Sequence, residues 1–279
     1  MLTTADEIRT GLPVARPIDA IAGVDIYWAR LDQPAERLER LEETLDHDER
    51  ARAARIRLKT YAARFVAARG ILRAILGGYV GVEPARLRFR YGASGKPELG
   101  GDLVGAGVRF NLSHSHGLAL YAVSRAREVG VDLERIDPYA DAAGLVDRCF
   151  STREQAEWLG LPPHSRGRAF LNGWTRKEAW AKALGDGLSL PFAQVEVPLR
   201  PLSAGELVPL GGDAGPARGT LLELTAPDPG YVAALAVRGG AVPVTARSWP
   251  DDRSRWPVLD SGASRPTAPG AEAPEEGSR

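Results

Sequence analysis

Runs of apolar and polar residues change period along this chain, and the period predicts the elements. Val24-Asp25-Ile26-Tyr27-Trp28-Ala29-Arg30 is rich in β-formers and predicts a strand. From about residue 33 to residue 76 the pattern is helical, with Leu38, Leu41 and Leu45 recurring at three and four residues. After an N-cap region at Asp46, the apolar positions Ile56, Ala63, Val66 and Ile71-Leu72 predict a long, partly interrupted helix. It is expected to end before Gly77-Gly78. The polar face of this helix is basic: Arg50, Arg52, Arg55, Arg57, Lys59, Arg64, Arg69 and Arg73 read first as a solvated surface.

Further on, Leu87 to Tyr91 alternates as a strand, and Gly92 to Pro97 reads as a turn. Val108 to Leu112 is a strand that runs into a small polar turn, Ser113-His114-Ser115-His116-Gly117, and Leu118 to Ser124 is a buried strand. Glu128 to Ile136 contains another strand. Ser151-Thr152-Arg153-Glu154 has the form of a capping box that opens a helix, Pro162-Pro163 breaks it, and Arg168 to Leu184 is helical again. Residues 188 to 237 read as short strands between Gly/Pro turns. Residues 1–20 are a loose lead-in, and from about residue 241 the chain becomes rich in Pro, Gly, Ser and Glu, which predicts a disordered tail over 241–279. Gly23-Val24-Asp25-Ile26 echoes Gly130-Val131-Asp132-Leu133, and each is followed by helical sequence and further strands. The echo predicts an α+β chain of two similar halves, over 21–125 and 126–240.

Composition narrows the class. The 279 residues are 44% hydrophobic and 26% charged, which is enough for a sizeable core. Lys plus Arg and Asp plus Glu number 36 each, so no global field draws the chain to nucleic acid or to an anionic membrane. One cysteine, Cys149, excludes an internal disulfide, and four histidines without ligand spacing argue against a zinc site. The first residues have no basic stretch followed by an apolar run, and the apolar runs are too short to span a bilayer. A cytoplasmic protein is expected.

Three stretches carry candidate chemistry. In the strand VGVDLERI, side chains alternate, so Asp132 and Glu134 share one face about 7 Å apart. Open to water, they are an ordinary polar face; lining a cleft, they need a cation, and oxygen ligands without His or Cys suit Mg²⁺, Mn²⁺ or Ca²⁺. In Trp174-Thr175-Arg176-Lys177-Glu178-Ala179-Trp180-Ala181-Lys182, residues four apart share a helix face. Glu178 and Lys182 form either an i,i+4 ion pair, worth about 0.2–0.5 kcal/mol, or a third carboxylate beside a compact cation able to meet a phosphate. Only four of the 36 basic residues are lysine, which makes two in six positions informative; Lys177 alone could be surface decoration. The turn around Ser113 and His114 suits a phosphate contact. A hydrolase reading lacks a G-x-S-x-G elbow.

In their order, Gly95-Lys96-Pro97, Phe110-Asn111-Leu112-Ser113-His114-Ser115, Gly130-Val131-Asp132-Leu133-Glu134, Phe150-Ser151-x-x-Glu154 and Trp174-x-x-Lys177-Glu178-Ala179-x-x-Lys182 resemble the 4′-phosphopantetheinyl transferases of the two-subdomain Sfp type, over about residues 23–237. The resemblance implies a pseudo-duplicated α+β fold with the active site in the cleft between its halves. It implies Mg²⁺ and coenzyme A as cofactor and donor. Asp132, Glu134 and Glu178 match the acidic metal site, and Lys182 a lysine at the CoA phosphates. Lys96, Ser113 and His114 match phosphate-contacting positions. Arg50, Arg52, Arg55 and Arg64 lie where the family places basic residues for the nucleotide, with Arg64 best placed. The implied reaction moves the 4′-phosphopantetheine of CoA to a serine of an apo acyl or peptidyl carrier protein and releases adenosine 3′,5′-bisphosphate, with Asp132, Glu178 and Lys182 catalytic. Such carriers serve fatty-acid, polyketide and nonribosomal-peptide synthesis. The two-half architecture implies a monomer that needs no nucleic acid or membrane. Two alternatives stay open: another Mg²⁺-dependent phosphotransfer or phosphohydrolase enzyme on CoA-like nucleotides, and a non-catalytic binding module.

Overall fold

The structure, a computed structural model, describes residues 23–92, 95–136, 142–185, 191–211 and 218–249. The predicted lead-in, Ala93-Ser94 and the tail beyond residue 249 lie outside the described residues. In chain order the first half runs β1 (Val24–Arg30), α1 (Ala35–Glu43), α2 (His47–Arg55), α3 (Lys59–Val80), a hairpin of β2 (Phe89–Tyr91) and β3 (Pro97–Leu99), then β4 (Val108–Ser115) and β5 (Leu118–Arg125). The second half runs β6 (Val129–Arg135), α4 (Ala143–Cys149), α5 (Thr152–Gly160), α6 (Pro163–Leu184), β7 (Val208–Leu210), β8 (Gly219–Glu223) and β9 (Tyr231–Arg238), and β10 (Val244–Ser248) follows. No helix among the described residues is long and apolar enough to cross a membrane.

Both β1 and β5 bury every side chain but the last, so each reads as a continuous apolar run rather than an alternation. They pair antiparallel in a sheet of order β10-β1-β5-β4. The stretch after Asp46, expected to be one partly interrupted helix, is two, and a separate helix precedes it. Asp46 does cap α2: its side chain accepts from Glu49 N at 2.9 Å while Glu49 accepts from Asp46 N at 3.1 Å. Extended backbone at Ile56 and Leu58 separates α2 from α3. Helix α3 continues past Gly77-Gly78 to Gly81, whose φ of 65° is the left-handed end. Packing outweighs glycine propensity here, because α3 is buried on most sides from Val66 onward. For the same reason Arg69 and Arg73 are not solvated: they are 8% and 0% exposed. A buried guanidinium needs partners. Arg73 donates to Glu49 at 2.6 Å, to Asp46 at 2.7 Å and to the carbonyls of Pro84 and Leu87, and Arg69 donates to Glu49 and to the Tyr91 hydroxyl. The capping box of α2 is thereby bolted to α3 and the hairpin.

The second half repeats the plan. Its sheet has order β6-β9-β8-β7 and is covered by α6. That helix has 22 residues like α3 and ends in left-handed Gly185, φ 83°. It begins five residues before Arg168, because Pro163 fits the first helical turn. The capping box at Ser151 and Glu154 opens α5 as predicted. The fold is thus α+β, with a sheet and a long helix in each half.

Strand β10 departs from the expected tail. Residues 244–248 leave the second half and pair parallel with β1, from Val24↔Val244 to Trp28↔Ser248. Trp249 then enters the first half's core at 6% exposure. The sequence VTARS has no strong period of its own; what makes it a strand is the β1 edge it completes.

Candidate active site

The two sheets meet where their edge strands β4 and β6 run side by side. No backbone ladder joins them. Side chains from alternate positions of β4 make the join instead, because residues two apart on a strand share a face. Asn111 Oδ1 accepts from Val131 N at 2.9 Å, Ser113 Oγ donates to Asp132 Oδ1 at 2.9 Å, and Ser115 Oγ donates to Glu134 at 3.0 Å while accepting from Arg135 N at 3.2 Å. Ser113 and His114, expected in a turn, are therefore part of the strand, which extends to Ser115. The longer strand turns Ser113 toward β6 and His114 to the opposite face. Asn111 and Ser115 had no role assigned from sequence; their signal is the polar alternation Asn-x-Ser-x-Ser in a strand whose surroundings are apolar.

Helix α6 brings in the rest. It lies so close to β6 that a Cβ on Gly130 would come within 2.0 Å of the Ala179 carbonyl oxygen and 2.4 Å of Ala183 N. Only glycine permits this approach. The approach delivers Lys182 to Asp132, with Nζ donating to Oδ1 at 2.6 Å and to Ser113 Oγ at 3.3 Å. The i,i+4 pair between Glu178 and Lys182 is not what holds this lysine; its hydrogen bonds cross to the neighbouring strand and sheet.

Asp132 is 3% exposed, and its Oδ2 is buried with no hydrogen-bond partner among the described residues. Such an atom is costly unless something else meets it. Glu134 and Glu178 are half-buried. Burial pushes the Glu134 carboxyl up, the Asp132 charge and that of Glu178 push it further, and Ser115 and Lys182 oppose them. Burial likewise raises Glu178, with Lys182 opposing and Asp132 adding. Three carboxylates against one ammonium leave an excess of negative charge and an orphaned oxygen, a donor set suited to a hard divalent cation. No group of three His, Cys, Asp or Glu among the described residues is preassembled in metal-holding geometry. Lys182 occupies Asp132 Oδ1 instead, so the donors fit magnesium in chemistry and charge, and would close on it by side-chain movement.

The other candidates are arranged differently. Lys96 Nζ, expected at a phosphate, donates to Glu128 at 3.2 Å, Val129 O at 3.0 Å and Lys182 O at 2.8 Å. All three donors of the ammonium are used, and they fasten the β2–β3 hairpin to β6 and to the end of α6. Arg64 forks onto Asp32, at 2.7 and 2.9 Å. Its guanidinium stands at the β4–β5 turn, 3.4 Å from where a Cβ on Gly117 would sit, just beyond Ser115. Arg52 lies over the Phe65 ring at 5.2 Å. Among the described residues, Arg50 reaches the Glu42 carbonyl and Arg55 that of Ala51. Solvent reaches His114, yet protein crowds it enough that partial desolvation lowers its pKa, and the charges of Lys182 and Arg52 lower it further.

Lys177 is not surface decoration. It is 0% exposed and donates to Glu154 at 2.7 Å and to the Phe192 carbonyl at 2.7 Å. Glu154, already in the capping box, also accepts from Val197 N at 2.8 Å. Trp174 stacks on Phe170 at 6.0 Å and meets Phe192 edge-on at 5.8 Å. One side of α6 therefore anchors the 192–197 segment, while Glu178 and Lys182 serve the cleft. A surface cavity of about 370 Å³ beside α5 is lined by Arg153, Glu157, Glu196 and Arg200 among others; none of the cleft carboxylates borders it.

A family model described as the 4′-phosphopantetheinyl transferase superfamily matches residues 128–236, which contain β6 and α6. The chain is 44% identical over 216 residues to the 4′-phosphopantetheinyl transferase HetI of Nostoc sp., covering 77% of this chain and 88% of that protein. It is 30% identical to the transferase ffp of Bacillus subtilis, covering 62% of this chain and 76% of that protein. It is 28% identical to Sfp of Bacillus subtilis strain 168, again covering 62% of this chain and 76% of the relative.

Proposed function

The chain belongs to the 4′-phosphopantetheinyl transferase superfamily, and from that premise we propose that the cleft between its two halves is where the transfer takes place. The enzyme moves the 4′-phosphopantetheine of coenzyme A onto a serine of an apo carrier protein. The serine oxygen attacks the β-phosphorus, the bond to the bridging oxygen breaks, and adenosine 3′,5′-bisphosphate leaves. The observation that carries the relationship is the 44% identity spanning 88% of a named transferase. The relatives cited are all such transferases, so a CoA phosphohydrolase or a non-catalytic module finds no support.

Phosphoryl transfer is catalysed mainly by positioning and charge neutralisation. Asp132, Glu134 and Glu178 would hold magnesium, and the orphaned Asp132 Oδ2 supports this assignment. Bound there, the ion would neutralise charge on the pyrophosphate. Lys182 faces the growing charge of the leaving phosphate once released from Asp132. Glu178, half-buried beside the cleft, is the candidate to take the serine proton, directly or through a water. His114, Ser113, Arg52 and Arg64 would meet the phosphates of the nucleotide. Lys96 sets the end of α6 through the Lys182 carbonyl, a role its three hydrogen bonds support better than a phosphate contact. We further infer a cytoplasmic monomer that binds neither nucleic acid nor membrane, with halves divided near residue 125.

Incubation with CoA, Mg²⁺ and an apo carrier tests the reading by intact mass. Wild type adds one phosphopantetheine to the carrier, while Asp132→Ala and Glu178→Ala add none yet keep the wild-type circular dichroism. Unimpaired transfer by either variant would remove it from the catalytic set.

A further inference from the structure

The basic residues of the first half are not distributed evenly. From Arg50 to Val82 the sequence holds eight Arg or Lys and no Asp or Glu, in a chain whose charges balance only as a whole. The structure neutralises some of them: Arg69 and Arg73 are paired with Glu49, and Arg64 with Asp32. Arg57 and Lys59 make no hydrogen bond or ion pair with a described residue. They flank Leu58, 64% exposed, and Tyr61, 55% exposed, follows one step after Thr60. Every residue of Arg57-Leu58-Lys59-Thr60-Tyr61 is exposed. Two large apolar side chains beside two unpaired cations are what a folded chain leaves uncovered only at some cost in solubility.

The patch adjoins the cleft. Tyr61 lies one helical turn before Arg64 on α3. Arg64 in turn forks onto Asp32, and both pack against Gly117 in the turn that follows Ser115 on β4.

We propose that Arg57, Leu58, Lys59 and Tyr61 form the docking surface for an acidic, amphipathic helix of the carrier protein, next to its acceptor serine. The proposal rests on the transferase reading and deepens it. Charge complementarity selects an acidic partner, and the apolar pair selects one with an apolar stripe between its acids. Apolar anchors ringed by a few charges mark protein contacts. A nucleic acid would call for a longer row of cations that track phosphates. A membrane would call for a broad apolar helix face, and the apolar length of α3 is buried inside the protein.

Steady-state transfer with Leu58→Ser/Tyr61→Ser and with Arg57→Glu/Lys59→Glu tests this, using an apo carrier with acidic residues around its serine and a second carrier in which those acids are amides. KM for the acidic carrier should rise roughly tenfold or more in each variant, with kcat and KM for CoA within about twofold of wild type. Wild type should lose similarly on the amide carrier, and in the charge-reversed variant added salt should lower carrier KM where it raises it in wild type. Unchanged carrier KM in variants that still transfer overturns the docking surface and leaves the transferase intact. A parallel rise in KM for CoA overturns it in favour of a nucleotide contact. Lost binding to phosphatidylserine vesicles or duplex DNA with unchanged carrier KM overturns it in favour of those surfaces. A wild type that modifies no carrier overturns both readings together.

Discussion

At the scale of single residues, protonation and pairing decide what each group can do. The His114 pKa lies below its ordinary value of 6.5, through partial desolvation first and the Lys182 and Arg52 charges after it. Between the folded pKa and 6.5 the unfolded chain therefore binds more protons than the folded one, so stability rises with pH through that window and is lost as pH falls. Melting temperatures should fall on acidification below pH 6.5, and His114→Asn should flatten the fall. A phosphate placed against His114 favours the charged ring, so CoA binding near pH 6 should take up protons. Calorimetry in buffers of different ionisation enthalpy reads this directly, and equal uptake by His114→Asn would detach the histidine from the phosphate. The buried Lys177–Glu154 pair gives a second prediction. Lys177→Met leaves Glu154 buried without its cation and should lower urea-unfolding stability by roughly 3–5 kcal/mol. Adding Glu154→Gln should restore much of it; a single-variant loss under about 1 kcal/mol would make the pair incidental. Strand period made Asp132 and Glu134 legible as one face and helix period put Glu178 beside Lys182, but only the family resemblance joined the three carboxylates. The partners of Lys96 and Lys177 were not legible, since each is a carbonyl or carboxylate supplied by an element distant in sequence.

At the scale of elements, the site depends on how closely α6 can lie on β6. Gly130 is the point of nearest approach, with the Ala179 carbonyl where a side chain would be. Gly130→Ala should push the helix away, cost about 1–3 kcal/mol as overpacking does, and separate Lys182 from Asp132. Transfer activity should then drop far more than the melting temperature accounts for. A Gly130→Ala protein with wild-type kcat would show that the cleft tolerates a displaced helix. The motif glycine was visible in the sequence, but its reason was not: a close approach between elements some fifty residues apart leaves no local trace. Helix boundaries show the same limit. Asp46 and Ser151 announced their caps because a capping box is local. The passage of α3 through Gly77-Gly78, and the burial of Arg69 and Arg73, follow from tertiary packing that periodicity alone does not encode.

At the scale of the whole molecule, the echo between Gly23-Val24-Asp25 and Gly130-Val131-Asp132 has a structural counterpart. In each half an aspartate on a strand receives a donor from the 22-residue helix: Tyr79 donates to Asp25 at 2.6 Å, and Lys182 to Asp132 at 2.6 Å. Burial raises the Tyr79 pKa, so the first pair is a neutral hydroxyl sealed in a core, whereas the second keeps a charge at the cleft. The halves are alike in plan but differ in the donor each supplies, and the chain ties them together twice. It crosses once at 126–128 and again when β10 returns to the β1 edge. A boundary near residue 240, natural from composition, cuts through that second tie. A chain ending after Gly240 should expose the edge of β1 and empty the seat of Trp249, which is 6% exposed. Filling that seat buries a large aromatic, whose removal costs roughly 3–5 kcal/mol on its own, before the lost ladder of β10 is counted. The shortened chain should therefore melt well below one ending after Pro250, and aggregate through its open edge. Losing β10 and Trp249 should also loosen Asp32 and Arg64, because β1 leads straight into Asp32. CoA affinity should then weaken although none of the β6 and α6 residues has been touched. Equal melting temperatures for the two chains would mean that β10 adds nothing to the first half, and that the two halves are joined only once.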